Sequence, residues 1–125
     1  MFSRWRTKDA ETSAPVYPAG QRMYCIGDIH GRADLLADLH QQISKDSATF
    51  EGDCQVLYVG DYVDRGDSSR QVLDILVEQP LSGFEAIFLR GNHEQAMLDF
   101  LVDPEIMSGW LHWGGVATLR SYGIH

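Results

Sequence analysis

Three clusters of residues in this 125-residue chain have the types and spacing for metal chemistry: Gly27-Asp28-Ile29-His30-Gly31, Gly60-Asp61-Tyr62-Val63-Asp64-Arg65-Gly66 and Gly91-Asn92-His93-Glu94. Asp28 and His30 lie two residues apart, so their side chains can converge on one cation. Asp61 has two carboxylate oxygens and can bridge two cations. Asn92 adds a neutral carbonyl oxygen. Oxygen donors mixed with imidazole suit Mn²⁺, Fe or Zn²⁺ better than copper or a thiolate-seeking metal. Taken singly, each piece has a plainer reading. A Gly-Asp pair after a strand is usually a turn, an Asn at a helix start is usually a cap, and an exposed Asp-Arg pair contributes little. Three such clusters at regular intervals are hard to ascribe to chance.

The intervals come from the elements that carry the clusters. Met23-Tyr24-Cys25-Ile26, Val56-Leu57-Tyr58-Val59 and Ala86-Ile87-Phe88-Leu89 are short apolar runs, and each stops at one of the clusters. After the first run, Leu35, Leu36, Leu39 and Ile43 fall at helical spacing, with Asp34, Asp38, Gln41 and Gln42 facing away. Val72, Leu73, Leu76 and Val77 predict a second helix, with Asp67 or Ser68 to cap it and Pro80 beyond its end. Met97, Leu98 and Leu101 predict a third. Near-continuous apolar strands alternating with helices define an α/β fold with a parallel sheet and crossover connections. Every cluster therefore begins at the C-terminal end of a strand, where ligand crevices of open α/β sheets form. The glycines give sharp strand exits and let the backbone approach the site closely.

Together the three clusters resemble the N-terminal signature motifs of the phosphoprotein phosphatase branch of calcineurin-like metallophosphoesterases, over residues 22–103. Arg90 before the third cluster and Asp64 within the second resemble serine/threonine protein phosphatases. Trp110-Leu111 and Gly114-Gly115 are similar to bacterial and phage members. The resemblance implies the N-terminal βαβαβ half of a four-layer αββα sandwich, and two divalent cations, Mn²⁺ first, with Fe or Zn as alternatives. It makes Asp28 and His30 ligands of the first cation, Asp61 the bridge and Asn92 a ligand of the second. It makes His93 the general acid, oriented by Asp64, and Arg65 a phosphate-oxygen donor, with Arg90 a weaker candidate that otherwise braces the site. The implied reaction is hydrolysis of a phosphoserine or phosphothreonine monoester in a phosphoprotein by a metal-bridged hydroxide. Cations about 3.5–4 Å apart clamp the attacking and leaving oxygens of such a displacement. The alternatives are a dinucleoside polyphosphate hydrolase, whose members typically lack the equivalent of Asp64, and a non-catalytic remnant that binds metal or a partner protein. The family's two downstream histidines do not appear: His112 lies too near Asn92, and His125 matches no motif. The expectation is the N-terminal portion of a longer enzyme, with Asp61 and Asn92 alone on the second cation.

Composition narrows the rest. A chain 44% hydrophobic and 22% charged is that of one soluble globular domain. A net charge of −8 argues against a nucleic-acid backbone as partner. No apolar stretch reaches the ~18 residues of a membrane span. Residues 1–21 are polar, carry Arg4, Arg6, Lys8, Pro15 and Pro18, and read as a flexible tail before a domain of residues 22–125. Cys25 and Cys54 lack metal-site spacing and read as small buried strand residues in a reducing cytoplasm. The segment from Trp110 reads as helix and turn packing its Trp, Leu and Tyr residues on the core, with His112 structural or exposed.

Overall fold

The computed structural model describes residues 14–125, so the basic start of the expected tail lies outside the described residues. Strands β1 (Gln21–Ile26), β2 (Asp53–Tyr58) and β3 (Phe84–Phe88) alternate with helices α1 (Ala33–Ser47), α2 (Ser69–Glu78) and α3 (Asn92–Val102). A helical turn, Leu111–Gly115, and α4 (Val116–Ser121) follow. The strands form one parallel sheet in the order β1-β2-β3, with Ile26, Tyr58 and Phe88 in register. This is the expected βαβαβ arrangement. Of the tail, residues 14–20 are exposed and irregular, and Tyr17 donates a hydrogen bond to Gln55 on β2.

Side chains alternate across a strand, so one face of the sheet carries Tyr24, Ile26, Val56, Tyr58, Phe84 and Ala86. These meet Leu36 and Ile43 of α1 and Val72 and Leu76 of α2 in the core. Met23, Cys25, Leu57 and Ile87, on the other face, are half-buried or exposed. The reading of the cysteines as buried is corrected: Cys25, on that outer face, is exposed, and Cys54, near the start of β2 on the core face, is only partly covered, both as free thiols.

The inward stripe of α1 is also rotated from expectation. Leu36, His40 and Ile43 are buried, whereas Leu35 and Leu39 are exposed. The cause is a polar contact, since His40 Nε2 and the Tyr58 hydroxyl lie 2.8 Å apart, deep under β2. Burial holds the His40 pKa below its ordinary value and pushes Tyr58 up to about 12, so the pair is neutral. At α2, Ser68 occupies the cap position without a side-chain capping bond, and its hydroxyl donates to Asp67. On α3 the buried residues are His93, Glu94 and Ala96, while Leu98 and Leu101 face solvent. This helix turns its chemistry inward. In the final segment only Trp110 meets the packing expectation fully, being 1% exposed, whereas Trp113 and Tyr122 lie at the surface.

Candidate metal and phosphate site

The loops after β1 and β2 are stitched together by their backbones. Ile29 and His30 N–H groups both donate to the Asp61 carbonyl, Gly31 N–H to Tyr62, and Gly66 N–H back to the His30 carbonyl. The loops are so close that a Cβ on Gly31 would sit 2.6 Å from the Gly66 carbonyl oxygen. Only glycine fits there. Gly27, by contrast, has open space around it and is not required for close approach.

The loop after β3 is joined to the same pair by Glu94. Its carboxylate is buried and accepts N–H bonds from Asp61, Tyr62 (2.9 Å), Val63 (3.4 Å) and Gly91 (3.0 Å). The Gly91 bond is one half of a capping box at the start of α3, and Gly91 has no side chain to supply the other half. Glu94 thus fixes the residue that carries the bridging candidate, Asp61, against the helix that carries Asn92 and His93.

Among the described residues, four non-glycine residues have positive φ: His30 (42°), Asp61 (55°), Asp64 (77°) and Arg65 (70°). All four belong to the set expected to do chemistry. Left-handed backbone costs a residue with a Cβ of order 1–3 kcal/mol and survives where the surroundings enforce it. Here the enforcing contacts are the interloop bonds and the Glu94 carboxylate.

The donor set suits a cation. Ligand atoms of His30, Asp61 and His93 lie within 4.8 Å of one another. His30 Nδ1 sits 2.8 Å from the Val63 carbonyl, so Nδ1–H donates there and Nε2 is left bare for a metal. A backbone carbonyl that fixes the imidazole tautomer in this way is characteristic of metal-ligating histidines. Asp28 Oδ2 lies 3.8 Å from His30 Nε2 on the exposed side. Asn92, first residue of α3, lines a cleft with Arg65, His93, His112, Trp113 and Gly114.

His93 is held differently. Its Nδ1 is 2.7 Å from Asp64 Oδ2, with Asp64 fully buried. Its Nε2 faces the Arg65 guanidinium at 3.5 Å. A cationic neighbour on that nitrogen opposes a metal there and favours a proton-transfer role. Arg65 and His93 therefore share the cleft. Arg90 does not join them; its guanidinium donates to Gln95 and lines the adjoining groove.

Asp64 is held by side chains from three segments of the chain. Trp110 Nε1–H donates to Oδ2 at 2.7 Å, the Thr118 hydroxyl donates to Oδ1 at 2.7 Å, and the Asp64 N–H reaches Ser69 and Thr118 hydroxyls. These bonds compensate the burial of the carboxylate and hold it in one orientation. The Trp113 loop is anchored alongside, because Arg65 N–H donates to the Gly114 carbonyl at 3.2 Å. Sequence reasoning did not foresee the supporting contacts of Glu94, Ser69, Trp110 and Thr118; it read His112 as structural or exposed, and His112 is exposed, on the wall of the cleft. Only Glu94 had a local signal, its position three residues into a helix.

Residues 21–123 match the profile of the Calcineurin-like phosphoesterase family, and the chain belongs to that family. It is similar to the serine/threonine-protein phosphatase rdgC of Drosophila melanogaster, with 35% identity over 95 residues. That alignment covers 74% of this chain and 14% of the fly protein, so the chain spans a small part of the curated relative it matches. No helix among the described residues is long and apolar enough to cross a membrane.

Proposed function

We propose that this chain forms the metal-binding and proton-donating half of a phosphoric monoester hydrolase acting on phosphoserine or phosphothreonine in proteins. The observation that carries the reading is the buried Asp64–His93 pair at 2.7 Å, beside the convergent His30 and Asp61 donors. Bound divalent cations, Mn²⁺ first with Fe or Zn as alternatives, would supply Lewis acidity and an activated water. Asp28 and His30 would hold one cation, Asp61 would face both, and Asn92 would hold the second.

The chain's own residues account for the rest. Arg65 presents a planar fork to two phosphoryl oxygens. Asp64 keeps His93 in the tautomer with the proton on Nδ1, which turns Nε2 toward the cleft. His93 Nε2 can then hold a second proton toward the leaving oxygen. General-acid residues of this kind contribute roughly 10²–10⁴-fold. The free Cys25 and Cys54 agree with a reducing cytoplasm.

The test is hydrolysis of a phosphoserine peptide, p-nitrophenyl phosphate and diadenosine tetraphosphate with Mn²⁺, by wild type and His93→Ala. A phosphopeptide rate at least about 100-fold above that of His93→Ala supports the reading. Preference for diadenosine tetraphosphate would replace it with the dinucleoside polyphosphate reading. Equal background rates for both proteins, with Mn²⁺ still bound, would leave a non-catalytic metal-binding domain.

A further inference from the structure

We infer that Trp113 is a specificity-determining residue whose indole forms the leaving-group wall of the site and favours phosphate esters of phenolic alcohols. The inference rests on the phosphoric monoester hydrolase reading above and adds aryl esters, bound through the indole, to the phosphoserine and phosphothreonine esters named there. The cleft that contains Arg65, Asn92 and His93 has a volume of about 520 Å³, and its remaining walls are His112, Trp113 and Gly114. Since Asp64 occupies His93 Nδ1, only Nε2 is free to serve a leaving oxygen. Nε2 opens toward Arg65 and this cleft, so the group attached to that oxygen must lie there.

Trp113 is placed to meet it. Its ring centroid is 6.4 Å from that of His93 at an interplanar angle of 62°, and about half of the residue is exposed. A surface indole is ordinarily mobile, but this one sits on a fixed loop. Arg65 N–H donates to the Gly114 carbonyl, and a Cβ on Gly114 would stand 2.6 Å from the Arg65 nitrogen. Gly114 takes φ 109°, which turns the chain beside the phosphate-binding residue. The backbone that carries the indole is therefore fixed beside both the acid and the phosphate donor.

A phenyl ring joined directly to the ester oxygen enters the cleft that Trp113 lines, where it can approach the indole to the 4.5–7 Å at which aromatic pairs associate. Serine and threonine esters present a single aliphatic carbon at that position and leave the indole without a partner. The interaction predicts about threefold to tenfold tighter binding of an aryl ester than of an alkyl ester.

Binding is measured by titration calorimetry on the full chain with Mn²⁺, using phenyl phosphate, phosphoserine and inorganic phosphate as probes. Phenyl phosphate should bind about threefold to tenfold tighter than phosphoserine, and Trp113→Leu should reduce that ratio to within about twofold of unity. Trp113→Phe, which keeps a ring, should retain most of it. A wild-type ratio near one, or an unchanged ratio in Trp113→Leu, overturns the inference. The phosphoesterase reading fails separately if inorganic phosphate does not bind, or binds equally well to Arg65→Ala, and the inference falls with it. With an active preparation, kcat/KM for phosphotyrosine and phosphoserine peptides should show the same change of ratio.

Discussion

Replacing Glu94 tests whether one buried carboxylate holds the site together. Its two oxygens divide four backbone donors: Oε1 takes Asp61 and Gly91, and Oε2 takes Tyr62 and Val63. Glu94→Gln keeps the shape and one acceptor oxygen, but its NH₂ group must face one of those pairs of N–H groups. If the NH₂ group takes the Oε2 position, the 2.9 Å bond to Tyr62 and the marginal 3.4 Å contact to Val63 are lost. If it takes the Oε1 position, two well-formed bonds are lost, so the first orientation is preferred. Losing one hydrogen bond to a charged acceptor and burying a donor without a partner costs about 2–3 kcal/mol. Glu94→Ala removes both acceptor oxygens, leaves the four backbone donors without their partner and costs about 3–5 kcal/mol. Both are large against a typical domain stability of about 5–15 kcal/mol. The same change loosens Asp61, and loss of such a supporting contact typically weakens metal binding about 10- to 100-fold. Urea unfolding of the metal-free protein reads the first effect, and Mn²⁺ titration reads the second. A Glu94→Gln protein within about 0.5 kcal/mol of wild type, with Mn²⁺ affinity changed less than twofold, would refute the reasoning.

Three further outcomes are expected. Gly114→Ala forces a side chain into positive φ and against the Arg65 backbone, so unfolding should show a loss of more than about 1 kcal/mol and calorimetry a weaker phosphate affinity. Trp110→Phe keeps the packing but removes the 2.7 Å bond to Asp64; kcat per folded molecule, with the folded fraction counted by Mn²⁺ titration, should fall, whereas a purely structural defect would lower the folded fraction and leave that kcat unchanged. Burial depresses the His40 pKa, so the unfolded chain binds a proton more readily than the folded one. That difference is absent well above the unfolded value of about 6.5 and grows as pH falls through it, costing stability on the acid side. His40→Gln retains an acceptor for Tyr58, and its Tm should decline less than that of wild type between pH 7.5 and 5.5, about the unfolded pKa; parallel declines would exclude His40 as the source.

The strand-tip loops were legible because each apolar run ends abruptly at a glycine followed by a polar ligand, and alternation with helices fixes such ends on one edge of a parallel sheet. The α1 stripe was less so. Periodicity alone favoured Leu35 and Leu39, but His40 gains a hydrogen bond under the sheet and turns the helix toward itself. The Asp64 support was not legible at all: Trp110 and Thr118 are 46 and 54 residues away along the chain, and nothing in their local pattern indicates the carboxylate they meet. Arg65 and Arg90 look alike as arginines beside ligand motifs, and only the direction of each side chain separates them.

The positive-φ backbone at His30, Asp61, Asp64 and Arg65 also bears on the order in which the molecule comes apart. Strain concentrated there lowers the cost of local opening at the strand tips, which the bonds to Glu94 oppose. A cation that binds only the unrelaxed arrangement raises the temperature of that opening by mass action. Metal loading then acts as a local thermostat on the loops, and the amides from Asp61 to Arg65 should exchange with solvent sooner than those of β2 until it is bound.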